Sequence, residues 1–132
     1  HRMSSCIISA DADIQLLPLE RPQAAAILQD WLQAWHQGLS RPLPVAPKTA
    51  LAWLDAEDED KALAQARQCY DGNDYARGER LDSAALLRTY PDFASLTASG
   101  EFEAFASLLY QPLISAEAEQ WLMISPAGEA QA

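Results

Sequence analysis

One group of charged residues in this chain has the spacing of a metal-dependent nuclease site. Asp55 is followed by Glu59-Asp60-Lys61, an acidic residue ahead of a Glu-x-Lys triplet. In enzymes with this signature, two carboxylates hold a divalent ion and the lysine steadies the attacking water or the phosphate. Such sites lie on a strand, where alternate side chains point the same way, whereas this run of charge is typical of a helix start. We therefore interpret Asp55, Glu59 and Lys61 as a solvated helix terminus, with a small metal-dependent nuclease as the lesser alternative.

The other residues with catalytic or ligating potential are isolated from one another. His36 follows Trp35 at the end of a predicted helix, and no serine or cysteine with a supporting acid can be paired with it from sequence. Cys6 and Cys69 are far apart and have no neighbouring ligand at metal spacing, which indicates inert thiols in a reducing, cytoplasmic compartment. The sequence therefore predicts no catalytic residue, no cofactor, no metal and no small-molecule substrate.

The segment NDYARGER carries the one basic–aromatic cluster of the sequence, formed by Tyr75, Arg77 and Arg80. This loop could contact a DNA phosphate or the carboxylates of a partner protein, and an ordinary exposed loop is the alternative. The formal net charge of −10 excludes phosphate binding spread over the whole surface. Any DNA contact must therefore come from a local patch such as this one, or from a larger assembly.

The element that should organise the chain is a long amphipathic helix over residues 22–37. Apolar residues recur at spacings of three and four, which places them on one helical face. We expect this face to be the centre of the core, with Pro22 opening the helix and Gly38 closing it in a left-handed conformation. The predicted core residues on this helix are Ile27, Leu28, Trp31, Leu32 and Trp35.

The expected fold class is mainly α (α+β), with four to five helices behind a short N-terminal β-hairpin. The hairpin covers residues 4–19, with strands at 6–9 and 14–17, and the helical part covers residues 22–124. Residues 1–124 are expected to form a single domain, and residues 125–132 a disordered tail. No apolar run approaches the roughly 18 residues of a membrane span, so we expect no membrane contact. Further core positions are Trp53, Phe102, Phe105 and Leu109.

Short motifs follow one another in a fixed order from about residue 14 to residue 115. The motifs are Trp35-His36-Gln37-Gly38-Leu39, Arg41-Pro42-Leu43-Pro44, Lys48-Thr49-Ala50, Ala52-Trp53-Leu54, Ala66-Arg67, Tyr70-Asp71-Gly72, Arg77-Gly78-Glu79 and Leu109-Tyr110-Gln111-Pro112-Leu113. This ordered series resembles the C-terminal region of the RecC family. RecC is the gamma subunit of exodeoxyribonuclease V, the bacterial RecBCD helicase–nuclease.

The resemblance implies the C-terminal portion of a nuclease-like domain that has lost its catalytic residues. The implied role is subunit assembly and DNA-end handling during double-strand break repair by recombination. The implied partners are the RecB and RecD subunits, with RecD the foremost contact, and a duplex DNA end reached through the assembled complex. One part of a larger domain would also expose apolar surface. The alternative is a free-standing helical protein–protein interaction module unrelated to DNA.

Overall fold

The computed structural model describes residues 5–8, 10, 13–16 and 18–118. The chain divides into two compact units, one formed by residues 1–30 with 112–132 and the other by residues 31–111. The single domain expected over residues 1–124 therefore stays a prediction. The expected tail at 125–132 lies outside the described residues.

The N-terminal β-hairpin is formed by strands β1 (Ser5–Ile8) and β2 (Asp13–Leu16). The strands pair antiparallel, with Ser5 opposite Leu16 and Ile8 opposite Asp13. Each strand begins one residue earlier than the alternation of apolar and polar residues predicts. The remaining predicted strand positions, Ser9 and Leu17, lie outside the described residues.

The described residues contain six α-helices and one 3-10 turn, which confirms the mainly helical fold class. Their bounds are α1 Arg21–Gly38, α2 Pro47–Leu54, α3 Glu59–Asp71, the 3-10 turn Glu79–Leu81, α4 Ala84–Thr89, α5 Phe93–Thr97 and α6 Phe102–Ala118. None of these helices is long and apolar enough to span a membrane.

Three details differ from the sequence prediction. The short helix α5 was not expected; Asp92 and Ser95 form its capping box, and hydrogen bonds from Ser95 lower the pKa of Asp92. A proline is expected to bend or end a helix, but α6 continues past Pro112 to Ala118. Gly38 is the last residue of α1, and the described glycines with positive φ are Gly72 and Gly100.

The start and end of α3 follow the sequence signals. Asp58 is the N-cap residue, and its side chain accepts a hydrogen bond from the amide of Asp60. Glu59 and Asp60 in the first turn complement the positive end of the helix dipole. Gly72 ends the helix with φ of 77°, a conformation that side chains with a Cβ rarely adopt.

The core of the 31–111 unit combines small residues with large aromatic ones. Phe102 packs edge-on against Phe93 with ring centroids 5.8 Å apart, and against Trp53 at 6.2 Å. Phe105 is also buried, Trp53 packs against the cluster half-buried, and Leu109 is half-buried. The cluster of buried residues is Ala46, Ala50, Ala66, Tyr70, Phe93, Leu96, Phe102 and Ala106.

The prediction that the apolar face of α1 is the centre of this core is wrong. Ala34 is the buried residue of α1, and Ile27 is half-buried. Each residue advances a helix by roughly 100°, so the exposed positions lie roughly 60–160° around α1 from Ala34. The helix therefore packs through its small residue and leaves its large apolar side chains in solvent. The exposed residues are Leu28 (55%), Trp31 (40%), Leu32 (62%) and Trp35 (63%).

Candidate interaction surface

The most unusual surface of the 31–111 unit is the exposed face at the C-terminal end of α1, which we call the α1 patch. It consists of Trp31, Leu32, Trp35 and Leu39, which are between 40% and 65% exposed. Isolated exposed apolar residues are ordinary, but contiguous ones mark binding sites, and tryptophan is enriched among the residues that dominate binding energy. The α1 patch is therefore the leading candidate for a partner-binding surface.

The chain holds the end of α1 in a fixed turn, which keeps Leu39 in line with the tryptophans. The amide of Leu39 donates to the carbonyl of Trp35 at 3.2 Å, and the amide of Arg41 donates to the carbonyl of Gln37 at 3.1 Å. The Arg41 guanidinium also pairs with Glu101 at 2.8 Å, which neutralises its charge locally. The surface beside the α1 patch is therefore polar but carries little net charge.

The loop after α3 is tied to the start of α2 by a buried carboxylate. Glu79 is 5% exposed and accepts hydrogen bonds from the amide of Lys48 at 2.9 Å and from the amide of Thr49 at 2.7 Å. The Thr49 hydroxyl donates to the same carboxylate at 2.7 Å. The N-cap residue of α2, Ala46, has no side chain that can accept these bonds, so Glu79 does so from 30 residues away.

Sequence reasoning did not identify Glu79 as an important residue. The signal was present but indirect: a helix start at Pro47-Lys48-Thr49, with alanine before it, lacks an acceptor of its own. The sequence shows that an acceptor is missing but not which distant residue supplies it.

The structure separates the three residues proposed to contact a partner or DNA. Tyr75 is 99% exposed at the tip of the loop, where the side chain of Asn73 accepts hydrogen bonds from the amides of Tyr75 and Ala76. Tyr75 therefore projects from a turn that the Asn73 side chain stabilises. It stays a candidate for contact with a partner or with DNA.

The two arginines are engaged within the loop and its surroundings. Arg77 donates to the carbonyl of Leu81 and lies 3.7 Å from the Asp82 carboxylate. Arg80 donates to the carbonyls of Asp71 at 3.3 Å and Pro91 at 3.0 Å. Arg80 therefore helps to hold the loop against the end of α3. A contact of either arginine with DNA or with a partner remains a prediction.

The residues of the nuclease-like pattern lie in solvent. Asp55 follows the end of α2, and Glu59 and Lys61 lie in the first turn of α3; all three are exposed. Lys61 pairs with Asp58 at 3.7 Å. Within residues 5–8, 10, 13–16 and 18–118, no group of three or more His, Cys, Asp or Glu side chains could hold a metal ion. This arrangement supports a solvated helix terminus.

Of the three remaining candidates for chemistry, His36 and Cys69 are not part of a described metal-binding cluster either. His36 is exposed on α1. Burial raises the pKa of the Cys69 thiol, which keeps it protonated and weakly nucleophilic at neutral pH. The side chain of Cys6 lies outside the described part of the chain.

Comparisons with known proteins support the resemblance to RecC. Residues 5–58, which contain β1, β2, α1 and α2, match the family described as the RecC C-terminal domain. The chain is also 34% identical over 89 residues to the RecBCD enzyme subunit RecC of Escherichia coli, an alignment that covers 58% of this chain. The chain spans 8% of that relative's length. The predicted resemblance to the C-terminal domain of RecC is therefore confirmed.

Proposed function

We propose that this chain is a non-catalytic assembly segment of a RecC-like subunit in a RecBCD-type helicase–nuclease. The observation that carries the proposal is the α1 patch, which lies within the residues 5–58 that match the RecC C-terminal domain. Its partner would be another subunit of the complex, RecB or RecD, with RecD as the first candidate.

The α1 patch has the chemistry of an anchor within a larger interface. Burying one large apolar side chain fully is worth roughly 1.5–3 kcal/mol, so covering these four half-exposed side chains would contribute on the order of 3–6 kcal/mol. Association itself costs a comparable amount, and stable interfaces bury about 1,600 Å² in total. The α1 patch can therefore dominate binding energy only with further contacts around it, as in a multisubunit complex.

The same proposal assigns DNA an indirect role. A surface with a formal charge of −10 repels phosphates, so a duplex end would be handled by the assembled complex during recombination repair of double-strand breaks. The exposed positions of Asp55, Glu59 and Lys61 support a non-catalytic segment that needs no cofactor. As part of such a complex, the chain would act in the cytoplasm.

The test is co-purification of the full chain with RecB and RecD from the same genome, with and without a blunt duplex end. We expect RecD to be retained by the unchanged chain and lost from a Leu32→Ser/Trp35→Ser variant. The matched control is Leu87→Ser on α4, because Leu87 is also exposed, at 39%, but lies outside the α1 patch. Loss of RecD from the control as well would point to general destabilisation.

Two outcomes would contradict the proposal. Retention of RecD by the Leu32→Ser/Trp35→Ser variant would show that the α1 patch is not the docking surface. Capture of neither subunit by a folded, monomeric chain would favour the free-standing helical interaction module, unrelated to DNA, over a RecC-like segment.

A further inference from the structure

The exposed side chains of α1 follow a repeat that identifies the kind of element able to cover them. Leu28, Leu32, Trp35 and Leu39 are separated by four, three and four residues, and each is between 55% and 65% exposed. This alternation averages roughly 3.5 residues, which is the repeat of the apolar seam in a two-helix coiled coil. We call these four residues the α1 seam.

The α1 seam is narrow. At roughly 100° per residue, its four side chains fall within a stripe about 60° wide around the helix. Leu39 stays on this stripe because its amide donates to the carbonyl of Trp35 at 3.2 Å, the bond of a continuing helix. A helix that faces a sheet or a mixed core presents an apolar stripe of about 100° or more, whereas one facing helix covers a narrower stripe. The width of the seam therefore favours a single helix as its cover.

The two sides of α1 that border the seam differ from each other. On one side lies Ala34, which is 2% exposed, so the chain itself already covers that face. On the other side lie Gln29 and His36, which are exposed and carry no formal charge at pH 7. Asp30, the one acidic residue between Leu28 and Leu39, lies on the opposite side of the helix. A partner helix therefore meets no like or unlike charge of α1 beside the seam.

The charge of the whole chain restricts the partner helix further. The formal net charge is −10, so an acidic helix or a second copy of this chain is repelled at long range, whereas a basic helix is attracted. The bulk of Trp35 sets a second condition. In the core of this chain, the rings of Phe93 and Phe102 share one cluster with four alanines. A small residue opposite Trp35 would likewise let the two helix axes approach to the usual distance of roughly 8–10 Å.

We infer that the α1 seam binds one amphipathic α-helix of the partner subunit in the manner of a coiled coil. That helix carries large aliphatic residues at its own seam positions, a small residue opposite Trp35, and basic rather than acidic residues beside its seam. At about 1.5 Å per residue, the seam from Leu28 to Leu39 is about 16 Å long, so the contact takes about three helical turns of the partner. This inference rests on the proposed function, because the seam shares three residues with the α1 patch.

The test is photo-crosslinking in the co-purified complex of the full chain with RecB and RecD. The crosslinking amino acid p-benzoylphenylalanine replaces Leu32, Trp35 or Leu39 in three separate variants, and Gln33 in a control variant, because Gln33 points away from the seam. Mass spectrometry identifies the crosslinked residues. We expect the three seam positions to crosslink to one partner segment, at residues three, four or seven apart, and the control position to give no crosslink to that segment.

The spacing of the crosslinked residues separates the possible outcomes. Crosslinks to residues two apart would identify a strand, and crosslinks scattered over several segments would identify a surface of loops. Either result would overturn the inference and leave the proposed function standing, and so would crosslinks between two copies of this chain in a complex that retains RecD. Failure of both subunits to co-purify would instead contradict the proposed function, and the inference with it.

A pair of variants gives a second readout. Leu32→Gln/Gln33→Leu moves one leucine roughly 100° off the seam without changing the composition of the chain, and Leu32 is exposed enough for folding to tolerate the exchange. The affinity for RecD should fall about tenfold or more, the range for one buried leucine. Gln33→Leu alone keeps the seam complete and should bind like the unchanged chain. Equal affinity of the exchange variant and this control would show that docking depends on apolar area rather than on the seam, which would overturn the inference.

Discussion

Tyr70, Phe93 and Phe102 lie in the interior of the 31–111 unit, whereas Trp31 and Trp35 of the same unit face solvent. Both groups of residues lie on helices with an apolar face. The apolar residues of α1 recur at spacings of three and four, as expected for a buried face. The difference is that the first group is covered by other helices of the chain and the second is not. An apolar helical face thus identifies a surface to be covered, without identifying what covers it.

Small residues distinguish the two regions better than large ones. Ala46 and Ala50 at α2, Ala66 on α3 and Ala106 on α6 are completely buried, and they let these helices approach closely around the aromatic rings. On α1, the buried residue is also an alanine, Ala34, at 2% exposure. The buried alanines therefore lie on the covered faces of these helices, and the tryptophans of α1 lie on an uncovered one.

The largest loss of folding stability should come from truncating a buried side chain of the covered region. Phe102→Ala removes a ring that is 1% exposed and contacts both Phe93 and Trp53, so we expect a loss of about 3–5 kcal/mol in the free energy of unfolding. Urea denaturation followed by circular dichroism measures it. Phe102→Leu, which keeps most of the volume, should cost distinctly less. A loss under about 1 kcal/mol for the alanine variant would show that this ring is not central to the core.

A smaller loss of stability should appear at high pH, because the phenol of Tyr70 is buried in the interior. Burial, followed by the charges of Glu79 and Asp71, raises the pKa of Tyr70 from 10.0 to about 12. The unfolded chain ionises this phenol first, so the stability it contributes is full below pH 10 and lost as pH rises through 12. The expected loss is on the order of 2 kcal/mol.

Denaturation at pH 8, 10 and 11 measures this effect, with Tyr70→Phe as the control. The phenylalanine variant lacks the titrating group and its hydrogen bond to the carbonyl of Tyr90. It should start less stable and lose less stability between pH 10 and 11 than the unchanged chain. Parallel pH profiles for the two proteins would contradict the burial of Tyr70.

The smallest effect on folding should come from the uncovered region. Trp35 is 63% exposed, so Trp35→Ala should change the free energy of unfolding by about 1 kcal/mol or less. The matched comparison is Trp53→Ala, since Trp53 packs against the core and meets Phe102 at 6.2 Å. Urea denaturation measures both variants. Equal losses in the free energy of unfolding would contradict the assignment of Trp35 to the exposed α1 patch and of Trp53 to the core.

The sequence predicts the local features of this fold well and the long-range ones poorly. The acidic residues of the first turn of α3 and Gly72 at its end lie where the local signals indicate, because both signals act within one helical turn. The exposure of the apolar face of α1 could not be predicted, because burial depends on which surfaces distant parts of the chain supply. Of the three predicted contact residues, Tyr75 is free to bind, whereas the bonds of Arg80 to Asp71 and Pro91 join segments distant in sequence.

The bond between Glu79 and the first turn of α2 has a consequence for the order of folding. A helix of eight residues is marginal by itself, and α2 lacks a local acceptor for the amides of Lys48 and Thr49. Those amides find their acceptor only when the chain has closed a loop of about 30 residues through α3. Helix α2 therefore reaches its full stability after α3 and its following loop have docked. The segment 5–58, which matches the RecC C-terminal domain, thus completes its folding with the help of Glu79, which lies outside that segment.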